Sequence, residues 1–138
     1  MKGDKIYYRE GYKYQLAKSY TIQTEIYLPG NISTSFISLS KTGLLLIKEG
    51  YAWDGPSGPT IDTPSSMRGS LIHDALYQLM RLGLISEDNR DYADLLLKKV
   101  CVEDGMNKVR AKLWQTMVNL FASGCAKSGT GRGVKEAP

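Results

Sequence analysis

Between residues 50 and 64 neither a helix nor a β-ladder is expected to persist. Gly50 to Pro64 holds three of the five prolines (Pro56, Pro59 and Pro64) and three glycines. Each proline fixes φ and removes a backbone donor, so regular hydrogen bonding stops there. The segment therefore divides the sequence into two halves of different character, joined by a stiff crossover.

Before the crossover, residues 5–48 read as strands. Tyr, Ile, Thr, Leu and Phe dominate, and turn residues interrupt at Glu10-Gly11, Pro29-Gly30-Asn31 and Lys41-Thr42-Gly43. From Tyr20 to Leu28, Ile22, Thr24, Ile26 and Leu28 share one face, and Thr21, Gln23, Glu25 and Tyr27 share the other. That period of two suits a half-exposed antiparallel strand. Leu44 to Ile47 is wholly apolar and predicts a central strand.

After the crossover the period changes to that of helices. The first is expected from a cap at Ser65 or Ser66 to about Leu82, with Gly83 as its stop. Ser86 is expected to cap the second, which ends near Asp104-Gly105. Acids at Glu87, Asp88 and Asp91 suit its positive end. The third is expected from about Met106 to Ala122, with Val109, Leu113, Met117, Leu120 and Phe121 on its apolar side. Strands first and helices later predict an α+β fold: an N-terminal antiparallel sheet of four to five strands, then three helices on one face. A length of 138 residues suits one domain, expected over 1–123, with a flexible basic tail over 124–138 rich in Gly, Ser and Lys.

Charge is uneven along the chain. Residues 1–105 carry 12 basic and 13 acidic side chains, whereas residues 106–138 carry six basic side chains against Glu136 alone. Without a stacking motif, six charges fall short of a nucleic-acid signature, so nucleic acid is not the expected partner. No apolar run approaches the roughly 20 residues of a membrane span. The opening Met-Lys-Gly-Asp-Lys has no apolar stretch behind it, so no secretory signal is expected. Cys101 and Cys125 lack metal-ligand spacing and are expected as free thiols in a reducing cytoplasm.

The helix from Ser65 to Leu82 carries the only histidine. Leu71, Ile72, Ala75, Leu76, Leu79 and Leu82 span one arc, and Ser70, His73, Asp74, Tyr77 and Arg81 lie opposite. An exposed helix face normally carries Lys and Glu, and this stretch has neither. Arg68 falls on the apolar side, where a charge needs a partner. Such a helix is expected to be covered on both sides, with the Trp53–Thr60 loop the nearest cover in sequence. If so, one volume would gather Asp54, Ser57, His73, Asp74 and Tyr77. Beside an acid, His73 could act as general base or acid, oriented by Asp74. Asp54 could assist, or could instead form an Asx turn with Gly55. Trp53 is a core aromatic or an apolar ligand wall, and Ser57, Arg68, Tyr77 and Asp94 are candidate ligand-binding groups. Asp94 could instead pair with Lys98 or receive Arg68. Asp54 and Asp94 could hold a hard divalent cation such as magnesium or calcium, although their spacing does not demand one. No glycine-rich phosphate loop, HExxH or nucleophile elbow is present.

The order of these pieces resembles an uncharacterised family of tailed-bacteriophage and prophage proteins. That family shows a Gly-aromatic-x-x-Asp-x-x-Ser-x-Pro loop, then His-Asp-x-Leu-Tyr, then an Ala-Asp pair, then an aromatic-rich last helix. The matching residues are Gly50-Tyr51, Asp54, Ser57 and Pro59; His73-Asp74, Leu76 and Tyr77; Ala93-Asp94; and Trp114 and Phe121. The likeness spans roughly residues 44–122. Trp53 stands where threonine is common and Pro56 where alanine is common. The resemblance implies a phage origin and a shared cluster of Asp54, Ser57, His73, Asp74, Tyr77 and Asp94. It also implies a setting in the host cytoplasm or the virion, with a tail or host protein as partner. It implies no particular reaction.

Overall fold

The structure, a computed structural model, describes residues 5–9, 14–55 and 64–122, with side chains of the last helix as far as Asn119. The fold is α+β, with antiparallel strands followed by three packed helices. The chain divides into two compact units between Gly55 and Pro56, inside the proline-rich crossover. Contrary to expectation, a β-ladder persists into that crossover: Ala52 and Trp53 pair with Gln15 and Tyr14, because the first proline comes only at Pro56. The proposed tail, Cys125 and residues 56–63 lie outside the described residues.

The first unit contains β1 (Tyr8–Arg9), β2 (Tyr14–Leu16), β3 (Tyr20–Gln23), β4 (Ile32–Ser33), β5 (Ile37–Leu39), β6 (Leu44–Ile47) and β7 (Ala52–Trp53). Among the described residues these seven short strands form two antiparallel sheets rather than one, in the orders β1-β2-β7 and β3-β6-β5-β4. The alternation expected from Tyr20 onward holds: Tyr20, Ile22, Thr24 and Ile26 are buried, and Thr21, Gln23, Glu25 and Tyr27 are exposed. The ladder itself stops at Gln23. There Gly43 adopts φ +96° beside Thr24, and a Cβ on Gly43 would lie 2.5 Å from the Thr24 carbonyl oxygen. Only glycine fits so close an approach.

β6 is central in its sheet, between β3 and β5, as its apolar run predicts. It is buried on one face only: Leu45 and Ile47 are covered, whereas Leu44 is exposed and Leu46 half-buried. On that outer face Leu46 pairs in register with Thr21 and Ser38, and Leu44 with Gln23. A run of four apolar residues therefore overstates the burial of this strand.

The second unit holds α1 (Pro64–Arg81), α2 (Arg90–Glu103) and α3 (Lys108–Ala122). α1 begins at Pro64, so Ser65 and Ser66 lie within it rather than capping it. A proline at the start of a helix loses no intrahelical bond. Gly83, at φ +75°, closes α1: its N–H bonds to the Met80 carbonyl and that of Leu84 to the Leu79 carbonyl. Gly105, at φ +106°, closes α2 in the same way, with Gly105 bonding Val102 and Met106 bonding Cys101. Both are Schellman stops, in which a left-handed glycine reverses the chain and satisfies the last carbonyls. Ser86 caps a short 3-10 turn (Glu87–Asn89) ahead of α2, accepting from the Asp88 N–H at 3.0 Å.

α1 and α2 approach closely at Gly69. A Cβ there would lie 2.6 Å from Cys101 Sγ and 3.1 Å from Leu97 Cδ1. α3 is rotated from the orientation its apolar side predicts. Ala111, Trp114 and Val118 are the buried residues, packed with Leu97, Cys101 and Met106. Val109 and Leu113 point outward. The helix has two apolar arcs, and the one carrying the large indole enters the core, where its area contributes most.

Candidate functional site

α1 is buried around nearly its whole circumference, including the polar positions Ser66, Arg68, Ser70, His73 and Tyr77. Buried polar groups need partners: Ser70 donates to the Met67 carbonyl of its own helix, whereas Arg68, His73 and Tyr77 find theirs on or at the end of α2. The centre is Asp94 on α2, which is 0% exposed. Its Oδ1 accepts from His73 Nε2 at 2.7 Å and from the Tyr77 hydroxyl at 2.8 Å. Its Oδ2 accepts from Asn119 Nδ2 on α3 at 2.7 Å, and the same Asn119 amide reaches Asp91 Oδ1 at 3.1 Å. All three helices thus meet on one carboxylate. His73 and Tyr77, four residues apart on α1, stack with ring centroids 4.2 Å apart.

The second nitrogen of His73 faces Asp74. Nδ1 lies 3.9 Å from Asp74 Oδ1, an electrostatic contact too long for a hydrogen bond. Since a carboxylate only accepts, Nε2 must carry a proton to bond Asp94. A lone pair on Nδ1 would then face a second carboxylate, so the doubly protonated ring fits this setting best. Burial pulls the His73 pKa down, but Asp74 and Asp94 outweigh it and hold the group above its ordinary value. A cation here means that His73 offers a proton rather than a lone pair. Burial and the Asp94 bond hold the Tyr77 phenol far above its ordinary value, so it remains a neutral donor.

Arg68 is buried, and its partners stand at the end of α2 rather than at Asp94. Nε and Nη2 donate to Asp104 Oδ2 and Oδ1 at 3.0 and 2.9 Å, and Nη2 also reaches Glu103 Oε1 at 3.0 Å. Asp104 caps α2. An acid at that end opposes the helix dipole, and the two-pronged Arg68 contact offsets the conflict. Asp94, in turn, is occupied by His73, Tyr77 and Asn119 rather than by Lys98 or Arg68.

The structure therefore brings together His73, Asp74, Tyr77 and Asp94, and places Arg68 in a separate ion pair. Trp53 and Asp54 belong to the first unit. Trp53 is 2% exposed and meets Tyr8 and Tyr14 with ring centroids 5.9 and 5.7 Å away. Ser57 lies outside the described residues, as does most of the loop expected to cover α1. Among the described residues, no three His, Cys, Asp or Glu side chains gather as a metal site. No helix among them is long and apolar enough to cross a membrane. Asn119, Glu103 and Asp104 escape a reading of the sequence. A lone Asn in an apolar helix is a weak signal, and Arg68 lies 35 residues from Glu103. The acids at the wrong end of α2 were the available clue. Neither a family model, nor a curated protein, nor a solved structure matches the chain.

Proposed function

We propose that this chain is a small bacteriophage-encoded accessory protein that acts by docking to another protein, in the virion or in the host cytoplasm. The phage origin rests on the loop, His-Asp and Ala-Asp motifs. In this reading His73, Tyr77, Asp94 and Asn119 form a clasp that fixes three helices in register. One observation carries it: the buried Asp94 carboxylate receives donors from α1 and α3, and its own helix is the third. A carboxylate so occupied has little left to offer a substrate, and a satisfied polar network favours one arrangement of its helices.

A second reading is a proton-donating ligand site. It draws on Asp74, whose side chain is 37% exposed beside His73 Nδ1. Asp94, His73 and Asp74 would then relay charge from the interior to the surface. Equilibrium denaturation of His73→Gln and Asp94→Asn separates the two. A clasp loses stability in both variants. A site held under functional strain gains stability or keeps it when its central groups are neutralised, and that result would overturn the clasp.

A further inference from the structure

The outward arc of α3 is apolar where a surface helix is normally polar. Val109 is 77% exposed and Leu113 58% exposed, one turn apart. With Lys108, Lys112 and Thr116 they line an open depression of about 440 Å³. The arc lies opposite Ala111, Trp114 and Val118, which already fill the core. The hydroxyl of Thr116 is engaged with the Lys112 carbonyl at 3.0 Å. The two ammonium groups are therefore the polar groups that the face presents.

Those ammonium groups have no carboxylate partner among the described residues. α3 carries Lys108, Arg110 and Lys112 and not one acid. Cations at the start of a helix stand at its positive end, where acids are favoured. A complement to this face must supply negative charge around an apolar contact.

We propose that Lys108, Val109, Lys112 and Leu113 dock a helical segment of a partner protein that carries aliphatic side chains at helical spacing, flanked by carboxylates. The proposal rests on the docking reading above and names the chemistry of the partner. Symmetric pairing with a second copy is disfavoured, because a two-fold contact would set lysine against lysine. A lipid surface fits less well. An interfacial helix is held by a broad apolar face and by anionic headgroups, whereas two aliphatic side chains between two lysines match a compact contact with carboxylates beside it. A helix-in-groove contact needs only anchors at spacings of three and four residues.

The test is selection of helical peptides from a displayed library against the intact protein, with Leu113→Asp protein as counter-selection. Enriched peptides should pair aliphatics at spacings of three or four with Asp or Glu beside them. Lys108→Glu combined with Lys112→Glu should weaken them about tenfold, the effect of two exposed ion pairs lost and reversed. The same change should favour peptides with lysine in place of the acids. All these positions are exposed, so the variants should keep the parent melting temperature, and the charge-reversed protein gives a readout even if Leu113→Asp does not fold. Enriched peptides without acids, no enrichment, or affinity indifferent to charge reversal would overturn the proposal. So would self-association, or binding to anionic phospholipid vesicles, that Leu113→Asp abolishes, since either would name another occupant. None of these failures touches the clasp, which is judged by the stability of Asp94 and His73 variants.

Discussion

Replacing Asp94 by Asn exchanges one carboxylate oxygen for an NH2 group, which removes the charge and turns an acceptor into a donor while leaving volume nearly constant. No cavity opens, so the cost is electrostatic. If the amide oxygen takes the place of Oδ1, His73 and Tyr77 keep an acceptor, but both bonds lose the carboxylate's charge. The new NH2 then faces the donating Nδ2 of Asn119, which stands 2.7 Å from Oδ2 in the parent. Asn119 can turn its amide over, but its oxygen would then oppose Asp91 Oδ1, now 3.1 Å from Nδ2. One pairing fails whichever way the amides settle. A buried group left unmet costs about 1–3 kcal/mol, and weakening two charge-assisted bonds adds about 1 kcal/mol or more. The total expected is about 2–4 kcal/mol, read by urea denaturation followed through helical circular dichroism. For a chain of this size that is a fall in melting temperature on the order of 10 °C. A melting temperature unchanged within error, or higher than the parent's, would refute the reasoning.

Further outcomes follow from neighbouring contacts. Because His73 has a raised pKa in the folded state, its contribution is full below its unfolded value of about 6.5 and is lost as pH rises through the folded value. Parent protein should therefore lose stability relative to His73→Gln as pH rises above about 6.5 and passes the raised folded-state value; a difference that stays constant as pH rises would contradict the charged ring. Gly69→Ala should destabilise by about 1–3 kcal/mol through overpacking, despite alanine's better helix propensity. Adding Cys101→Ala should restore part of the loss, since the sulfur is the nearest obstacle; a double variant no better than Gly69→Ala would exclude that contact. Burial, then Asp104, pushes the Cys101 thiol up to about 12. Alkylation localised to Cys101 by mass spectrometry should accordingly be slow in native protein and fast in denaturant, and rapid native labelling would show that the α1–α2 interface opens.

The sequence carries much of this architecture because its strongest signals are local. Three prolines between Gly50 and Pro64 mark the change from strands to helices, and Gly83 and Gly105 mark two helix ends through their left-handed backbone. The number and grouping of strands are less legible. Strands of two to four residues leave too short a pattern to tell which neighbour each will pair with. α3 misleads for another reason: its apolar residues occupy two arcs, and only packing decides that Trp114 turns inward while Val109 and Leu113 turn out. In the site, the absence of Lys and Glu from α1 signals that His73 and Tyr77 are covered. Their meeting with Asp94 is suggested by residue type alone, and the share of Asn119 is invisible because one amide has no period. The coupling of Arg68 to Asp104 depends on how two helix ends meet in space, which no spacing encodes.

The central claim is that His73 and Asp94 bond across α1 and α2 to hold the helices together. A double-mutant cycle with His73→Gln, Asp94→Asn and the combined variant isolates that bond from everything else each residue does. At about pH 6, where the ring is charged, the coupling should reach about 1.5–3 kcal/mol, the range for a hydrogen bond to a charged group. Free energies of unfolding that simply add would contradict the clasp.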